Sequence, residues 1–275
     1  MELPVIDNTH PDRSPDRLTR LVKTAETELA LTHCETTDLS GAQLFVCPER
    51  PRIYDANFAA GITAAGPEDL RPLLQEITDH YRSLSLDCHR LIPAHQQQWD
   101  ADDQSVLSAH GYEAEENLVM VMDRVIRPPS VRDDLQILPA RAAGRQYRAY
   151  QTAVHGALYA QEVADGLAAC AVDVLDDSRL DMLVARLNGQ IVAAAGVMTL
   201  NQSGVIWDVS THPEYRRQGI QRTLLATLLD HCARAQLLTL ALETEPDNQP
   251  AISLYESIGM VPACTYHVYR RAGST

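Results

Sequence analysis

The residues with the clearest chemical meaning lie in positions 211–221, between an apolar run and a Leu-rich helical pattern. Their order predicts a strand, a turn that contains Gly219, and the start of a helix. The first N–H groups of a helix have no partner within it, and the helix dipole adds partial positive charge, so such a turn can bind a phosphate or pyrophosphate. Gly219 allows a close backbone approach, and the guanidinium groups of Arg216, Arg217 and Arg222 can contact phosphate oxygens.

Two motifs in this region resemble those of one known family. Arg216-x-x-Gly219-x-Gln221 resembles the Arg/Gln-x-x-Gly-x-Gly/Ala signature of the GNAT superfamily of acyl-CoA N-acyltransferases, with Gln221 where the family usually has Gly or Ala. Residues 248–260 resemble the family's Asn-x-x-Ala-x-x-Leu-Tyr-x-x-x-Gly-Phe block, with Met260 in place of Phe. The motifs stand in the family's order with a strand-like run between them, which makes the pair a strong signal.

The resemblance implies an N-acyltransferase that uses acetyl-CoA. The turn would bind the CoA pyrophosphate, and the preceding strand would offer backbone groups to the pantetheine arm and the acyl carbonyl. Asn248 would bond the pantetheine arm, and the side chain of Gln221 would have to point away from the pyrophosphate. The expected acetyl-CoA-binding residues are Val209, Ser210, Thr211, Arg216, Arg217, Gln218, Gly219, Ile220, Gln221, Arg222 and Asn248.

The same resemblance indicates two catalytic residues. Glu243 has the offset from Asn248 that the general base has in bacterial members that acetylate ribosomal-protein N-termini, and partial burial would raise the pKa of such a carboxylate. Tyr255 would protonate the departing CoA thiolate after direct attack by an amine, without a covalent acyl-enzyme. A solvated Glu at a strand end and a core-packing Tyr are the structural alternatives, and Asp208 and Glu245 are reserve candidates for the base.

The composition limits the classes of partner. The chain has 275 residues and a net charge of -14, which disfavours nucleic acid and anionic membranes and is easier to reconcile with an amine substrate. The six cysteines and ten histidines show no ligand-like spacing, so no metal is expected. The first residues do not resemble a signal peptide, and no run approaches the about twenty apolar residues of a membrane span. A cytoplasmic protein is therefore expected.

The predicted elements favour an α/β fold with a mixed, largely antiparallel sheet flanked by helices. Pro128-Pro129 marks the best domain boundary, because consecutive prolines resist both helix and sheet. Residues 131–275 carry both motifs and a predicted hairpin at Asn188-Gly189. Residues 1–127, with a strand predicted over 53–60, repeat the order strand, helix, strand, helix, strand without a phosphate-binding turn. This pattern predicts two GNAT-like units in tandem, the first of them degenerate.

Two other functions stay open at this point. A non-catalytic acyl-CoA-binding or regulatory module is favoured by Gln221 and Met260, and a protein N-terminal acetyltransferase is the other alternative. The resemblance assigns acceptor recognition to residues 147–175 together with whatever the first half contributes, but those residues carry no recognisable code. The acceptor, the acyl chain length and the oligomeric state, a homodimer included, are not specified by the sequence.

Overall fold

The computed structural model describes residues 13–94, 99–125 and 132–273. Within these ranges, eleven strands form a single sheet and seven α-helices pack on it. The strands are β1 (Glu35–Leu39), β2 (Ala42–Val46), β3 (Phe58–Ile62), β4 (Arg90–Pro93), β5 (Tyr112–Met122), β6 (Gln136–Pro139), β7 (Leu180–Leu187), β8 (Gln190–Leu200), β9 (Ser203–Thr211), β10 (Thr239–Thr244) and β11 (Val261–Arg271). The helices are α1 (Pro15–Ala30), α2 (Pro67–Ser83), α3 (Ala101–Ala109), α4 (Gly144–Gly156), α5 (Gln161–Asp173), α6 (Ile220–Arg234) and α7 (Gln249–Ser257).

The sheet has the order β1-β2-β3-β4-β11-β5-β10-β9-β8-β7-β6. Among the described strands, β3 pairs parallel with β4 and β9 pairs parallel with β10, and the other neighbours are antiparallel. Each parallel pair is joined by a helix, as such pairs require. The order β3-α2-β4-α3-β5 therefore recurs as β9-α6-β10-α7-β11, and the expected mixed, largely antiparallel α/β fold is confirmed.

The last strand of each repeat lies beside the other repeat's parallel pair. β5 is hydrogen-bonded to β10 on one side and to β11 on the other, so that Val119 lies opposite both Glu243 and Cys264. β11 in turn pairs with β4. The two halves thus share one continuous hydrogen-bonded sheet at their junction.

Alternating side chains of the strands form two cores, one on each face of the sheet. In β5, Val119 and Val121 point to the face covered by α1 and α4, whereas Met120 and Met122 point to the face covered by α6 and α7. This separation follows from the two-residue period of a strand. A third core, under α2 and α3, extends the second face into the first half.

Most element predictions are confirmed, the Asn188-Gly189 hairpin among them, where both residues have positive φ. The strand predicted over residues 53–60 is wrong at its beginning, because β3 starts at Phe58. Asn57 holds the preceding residues in a turn: its Oδ1 accepts a hydrogen bond from the N–H of Cys47 (3.0 Å) and its Nδ2 donates to the carbonyl of Arg50 (2.7 Å). The boundary predicted at Pro128-Pro129 lies outside the described residues, so the division into residues 1–127 and 131–275 stays a prediction.

The shared sheet predicts that the second half does not fold alone. Residues 132–273 without β5 leave β10 and β11 with unpaired edges and an uncovered apolar face, which favours aggregation. We expect this fragment to lack a cooperative thermal transition by circular dichroism, and co-expression with residues 1–131 to restore one. A fragment that melts cooperatively by itself would contradict the prediction.

Candidate active site

A cleft opens between β9 and β10. These parallel strands pair over three positions, and the pairing ends at Ala241↔Val205, although β9 continues to Thr211 and β10 to Thr244. Ligands of open α/β sheets bind beyond the carboxyl ends of parallel strands. The diverging ends of β9 and β10 therefore provide the space for a ligand to enter the sheet.

A bulge in β9 lies beside this cleft. The pairing of β9 with β8 shifts between Ala194 and Gly196, and Asp208 there has a φ of 45°. The hydroxyl group of Tyr147 donates to the Asp208 carboxylate (2.9 Å), and the side-chain amide of Gln151 donates to it as well. Asp tolerates positive φ better than most residues, and a bulge redirects the strand that carries it. The two bonds from α4 thus fix the direction of the end of β9.

Asp208 is partly buried and its recorded partners are uncharged. Removal from water raises the pKa of its carboxyl to about 6, while hydrogen bonds from Tyr147, Gln151 and Ser210 oppose the rise. Tyr150 also donates to the hydroxyl of Ser210 (3.1 Å). A carboxyl with this pKa ionises just below neutral pH, where it can exchange a proton with a ligand.

The predicted phosphate-binding turn leads from β9 into α6. Arg217 and Gly219 have φ values of 59° and 73°, and no side chain in the described ranges caps the helix that begins at Ile220. The guanidinium of Arg216 donates to the carbonyl of Thr211 (3.3 Å) and is otherwise exposed. The first N–H groups of α6 therefore face outward beside three arginines, which is the arrangement that an anion needs.

Gln221 lies away from this turn. Its Oε1 accepts a hydrogen bond from the hydroxyl of Thr211 (3.0 Å), and its Nε2 donates to the carbonyl of Ala194 (3.1 Å). The side chain is thereby attached to the ends of β8 and β9. The departure from the usual Gly or Ala does not place an amide over the start of the helix.

Tyr255 lies on α7, which packs on the same face as α6, and Asn248 immediately precedes this helix. Tyr255 is 6% exposed, and burial, together with the charge of Asp208, raises the pKa of its phenol to about 12. It is therefore protonated at neutral pH. Asn248 caps α7, with its Oδ1 accepting from the N–H of Ala251 (3.3 Å); a bond from this residue to pantetheine stays a prediction.

Glu243 points to the opposite face, under α1. Its carboxylate accepts a hydrogen bond from the hydroxyl of Tyr266. Lys23 of α1 donates from Nζ to the carbonyl of Pro93 (2.8 Å) and lies 4.8 Å from the centre of the Tyr266 ring. Burial lowers the pKa of Lys23 to about 8, and the charge of Glu243 opposes that shift.

Glu243 and Asp208 line one cavity of about 280 Å³. The first half of the chain closes it with Glu26 of α1 and with Asp55, which lies in the turn before β3. Arg90 of β4 forms ion pairs with Glu26 and with Asp55 (3.3 Å). Aromatic rings complete the wall, namely those of Tyr54, Tyr147 and Trp207.

Sequence reasoning missed the contribution of α1 and of the turn before β3. The helix has recognisable signals: Ser14 caps it, Pro15 occupies its first position, and Leu18, Val22 and Leu29 form a buried stripe. These signals identify the helix. They do not show that Glu26 reaches a cavity formed by strands more than 170 residues later.

The structure therefore groups the predicted residues by location. The reserve candidate Asp208 shares a cavity with Glu243, whereas Glu245 is exposed beyond the end of β10. Tyr255 is close enough to Asp208 for the charge of that carboxylate to raise the pKa of the phenol. The remaining predicted residues lie at the end of β9, in the turn before α6, in the first turn of α6 and at the cap of α7. They are Val209, Ser210, Thr211, Arg216, Arg217, Gln218, Gly219, Ile220, Gln221, Arg222 and Asn248.

The described ranges contain no group of three or more His, Cys, Asp or Glu side chains arranged to hold a metal ion. None of the helices given above combines the length and the apolar character that crossing a bilayer requires.

The raised pKa of Asp208 predicts a pH-dependent cost to stability. Because its folded pKa of about 6 exceeds the ordinary 3.8, the folded state binds the proton more tightly, and stability is lost as pH rises through that window. Asp208→Asn keeps the shape and tolerates the positive φ. Relative to wild type, we expect its Tm to gain about 3 °C between pH 4.5 and 7.5, as ~1 kcal/mol would give after solvent screening. Asp79→Asn, at an exposed site, is the control, and a pH-independent difference for Asp208→Asn would contradict the assignment.

Known proteins share both the sequence of this region and the fold of the chain. Residues 147–260 match the model of the acetyltransferase (GNAT) family. The alanine N-acetyltransferase of ribosomal protein bS18 from Escherichia coli (strain K12) is 36% identical over 72 residues, 26% of this chain and 49% of that protein. The chain thus spans about half the length of the curated relatives it matches.

Two solved structures are similar over most of the chain. A GCN5-related N-acetyltransferase from Kribbella flavida has a TM-score of 0.63 at 14% identity, covering 94% of this chain and 96% of its own. A tandem GNAT protein from the clavulanic acid biosynthesis pathway has a TM-score of 0.55 at 15% identity, covering 83% and 77%. These likenesses show that the described chain has the GNAT fold, and the family match shows that residues 147–260 are an acetyltransferase domain of the GNAT family.

Proposed function

We propose that the chain transfers an acetyl group from acetyl-CoA to a primary amine by direct attack. The observation that carries this proposal is the divergence of β9 and β10 beside the bulge at Asp208. The phosphate-binding turn lies at the end of β9, and the carboxylate-lined cavity opens on the other face. A thioester placed in the cleft between β9 and β10 would have its CoA portion on one face of the sheet and the acceptor amine on the other.

Acetyl-CoA would bind along the end of β9 and the start of α6. The N–H groups of residues 216–222, with the guanidinium groups of Arg216, Arg217 and Arg222, would hold the pyrophosphate. Nε of Arg222 is buried and has no hydrogen-bond partner among the described groups, which supports a ligand contact here. Asn248 and the backbone of residues 209–211 would contact the pantetheine arm.

The chemistry would need one proton acceptor and one proton donor. Glu243 takes a proton from the ammonium of the acceptor, and the free amine attacks the thioester carbonyl while N–H groups of β9 stabilise the oxyanion, each by about 3 kcal/mol. The C–S bond then breaks, and Tyr255, whose raised pKa keeps it protonated, donates to the sulfur. Cys170 lines the cavity, but burial raises its pKa to about 12, so its thiol is a poor nucleophile.

The first half would bind no CoA of its own. At the position equivalent to the α6 turn, α2 begins with Pro67, which has no N–H, followed by Glu68 and Asp69. The carboxylate of Asp69 accepts the N–H of Ala65 (3.3 Å). Negative charge at this helix start repels a pyrophosphate. We therefore propose that residues 1–127 are a degenerate GNAT-like unit and that residues 131–275 carry the acetyltransferase.

A protein N-terminus is the second candidate acceptor. The match to the bS18 alanine N-acetyltransferase favours it, although it covers 49% of that enzyme. A non-catalytic acyl-CoA-binding module is the alternative without turnover. Release of free thiol from acetyl-CoA, measured with amines and with an alanine-starting peptide, separates these possibilities.

Gly219→Asp should weaken acetyl-CoA binding by at least about tenfold. The new carboxylate would stand at the helix start and repel the pyrophosphate. Calorimetry should give one site per chain for the wild type. Gly111→Asp is the matched control, because Gly111 also has positive φ and a Cβ there would meet nothing within 4 Å. Equal affinity of wild type and Gly219→Asp, or two sites per chain, would contradict the assignment.

Glu243→Gln and Tyr255→Phe should lower turnover in different ways. Removing the base should reduce kcat about a hundredfold or more near neutral pH, the usual scale of positioned acid–base catalysis, with little change in acetyl-CoA affinity. Removing the phenol should cost most where thiolate departure limits the rate. Comparing amines of different pKa separates titration of the base from titration of the amine. Full activity of Glu243→Gln across pH would move the base to Asp208, and full activity of both variants would remove the catalytic roles.

A further inference from the structure

The wall of the cavity is rich in acidic groups. It carries the carboxylates of Glu26, Asp55, Asp208 and Glu243, and none of the described residues that line it is Lys or Arg. Its histidines, His33 and His155, have pKa values lowered mainly by burial, so they are neutral at pH 7. An acceptor inside this cavity therefore meets negative charge on several sides.

Cations behind the wall do not balance these carboxylates. Arg90 is shared by Glu26 and Asp55, and Arg270 is paired with Glu115 (2.8 Å). The charge of Lys23 interacts with that of Glu243. Arg50 and Asp173, which lie near His33, form an ion pair with no net charge. The groups that interact around the cavity are five carboxylates and three cations, which leaves a net charge of minus two when all of them are ionised. They are Glu26, Asp55, Glu115, Asp208 and Glu243, with Lys23, Arg90 and Arg270.

The lining carboxylates come from two parts of the chain. Asp208 and Glu243 lie on β9 and β10, where the strands diverge, whereas Glu26 and Asp55 belong to α1 and to the turn before β3. The side chains that donate hydrogen bonds to Asp208, those of Tyr147, Gln151 and Ser210, are all uncharged. The cavity volume of about 280 Å³ is about nine times the ~30 Å³ share of a water molecule. That space holds a short chain with a charge at each end.

We propose, on the basis of the function above, that the acceptor is a small aliphatic diamine bound as a dication. One ammonium lies between Asp208 and Glu243 and is acetylated, and the other is held by Asp55 and Glu26 beside the ring of Tyr54. The guanidinium of Arg270 already lies over this ring, 4.5 Å from its centroid, so the carboxylates of Asp55 and Glu26 supply the charge that holds the second ammonium. The first half of the chain thus selects the acceptor by its second charge.

The ionisation of Asp55 supports this assignment. Removal from water raises the pKa of its carboxyl to about 7, with the charge of Arg270 opposing and those of Glu243 and Glu115 adding to the rise. A bound cation would favour the ionised form. Diamine binding should therefore release protons near pH 7 and strengthen as pH rises from 5.5 to 7.5.

The reaction balances in charge and atoms. The reacting ammonium gives one proton to Glu243, its nitrogen forms a bond to the acetyl carbon, and the C–S bond breaks. Tyr255 protonates the sulfur, and the resulting phenolate takes up the second proton that the attacking nitrogen loses as the amide forms. The products are CoA thiol and a mono-N-acetylated diamine with one positive charge, and the proton on Glu243 leaves to solvent. Loss of one charge weakens the product's attraction to the wall and favours its release.

The test compares two acceptors of equal length. Thiol release from acetyl-CoA is measured with 1,4-diaminobutane, with 4-aminobutan-1-ol and with an alanine-starting tripeptide. We expect kcat/KM for the diamine to exceed that for the amino alcohol by at least about tenfold, the scale of one charge-assisted contact. Asp55→Asn should reduce this ratio to about two or three, and Asp79→Asn, at an exposed site on α2, should leave it as in wild type.

The outcomes separate this inference from the proposed function. Equal kcat/KM for diamine and amino alcohol would overturn the inference while leaving the acetyltransferase in place, and preference for the tripeptide would overturn it in favour of a protein N-terminus. If no acceptor releases thiol, the proposed function fails, and calorimetry of 1,4-diaminobutane with the CoA-bound protein decides the inference. No binding, or binding equal to that of the amino alcohol, would overturn it. The wild-type acceptor ratio decides the question even if Asp55→Asn does not fold.

Discussion

The hydrogen bonding of β5 on both of its edges determines how the rest of the molecule is arranged. β10 lies on one side of this strand and β11 on the other, and β11 continues the sheet to β4. Because the two halves share these bonds, α1 is brought across the face on which Glu243 points. The cavity exists at that junction, and its walls come from both halves.

The two groups of residues at the candidate site lie on opposite faces of the sheet. The turn before α6 and the phenol of Tyr255 lie with the helices of one face, whereas the carboxylates lie under α1 and α4 on the other. The connection between them is the local divergence of β9 and β10 beside the bulge at Asp208. In the proposed reaction, an acyl donor and an amine approach the same point from opposite sides of the sheet.

Local chemistry in the sequence was sufficient for some parts of the structure and insufficient for others. The turn with Gly219, the Asn188-Gly189 hairpin and the cap of α7 at Asn248 are predictable because their residues act on their own neighbours. The late start of β3 was missed because the side chain of Asn57 bonds a backbone group ten residues earlier. The position of Asp55 and Glu26 depends on the pairing of β5 with strands of the other half, and no local pattern carries that information. The second motif located Glu243, but its neighbours Tyr266 and Lys23 follow from tertiary packing.

The continuous sheet also restricts how such a chain can diversify during evolution. Its halves cannot be exchanged with those of a relative as separate modules, because each one supplies a strand to the interior of the other. A change of acceptor has an easier route through α1 and the turn before β3, where substitutions alter the wall of the cavity without touching the helix start at Gly219 or the phenol of Tyr255. In the proposed division of the chain, the first half, which has no phosphate-binding turn of its own, is free to vary its side chains while the turn before α6 stays unchanged.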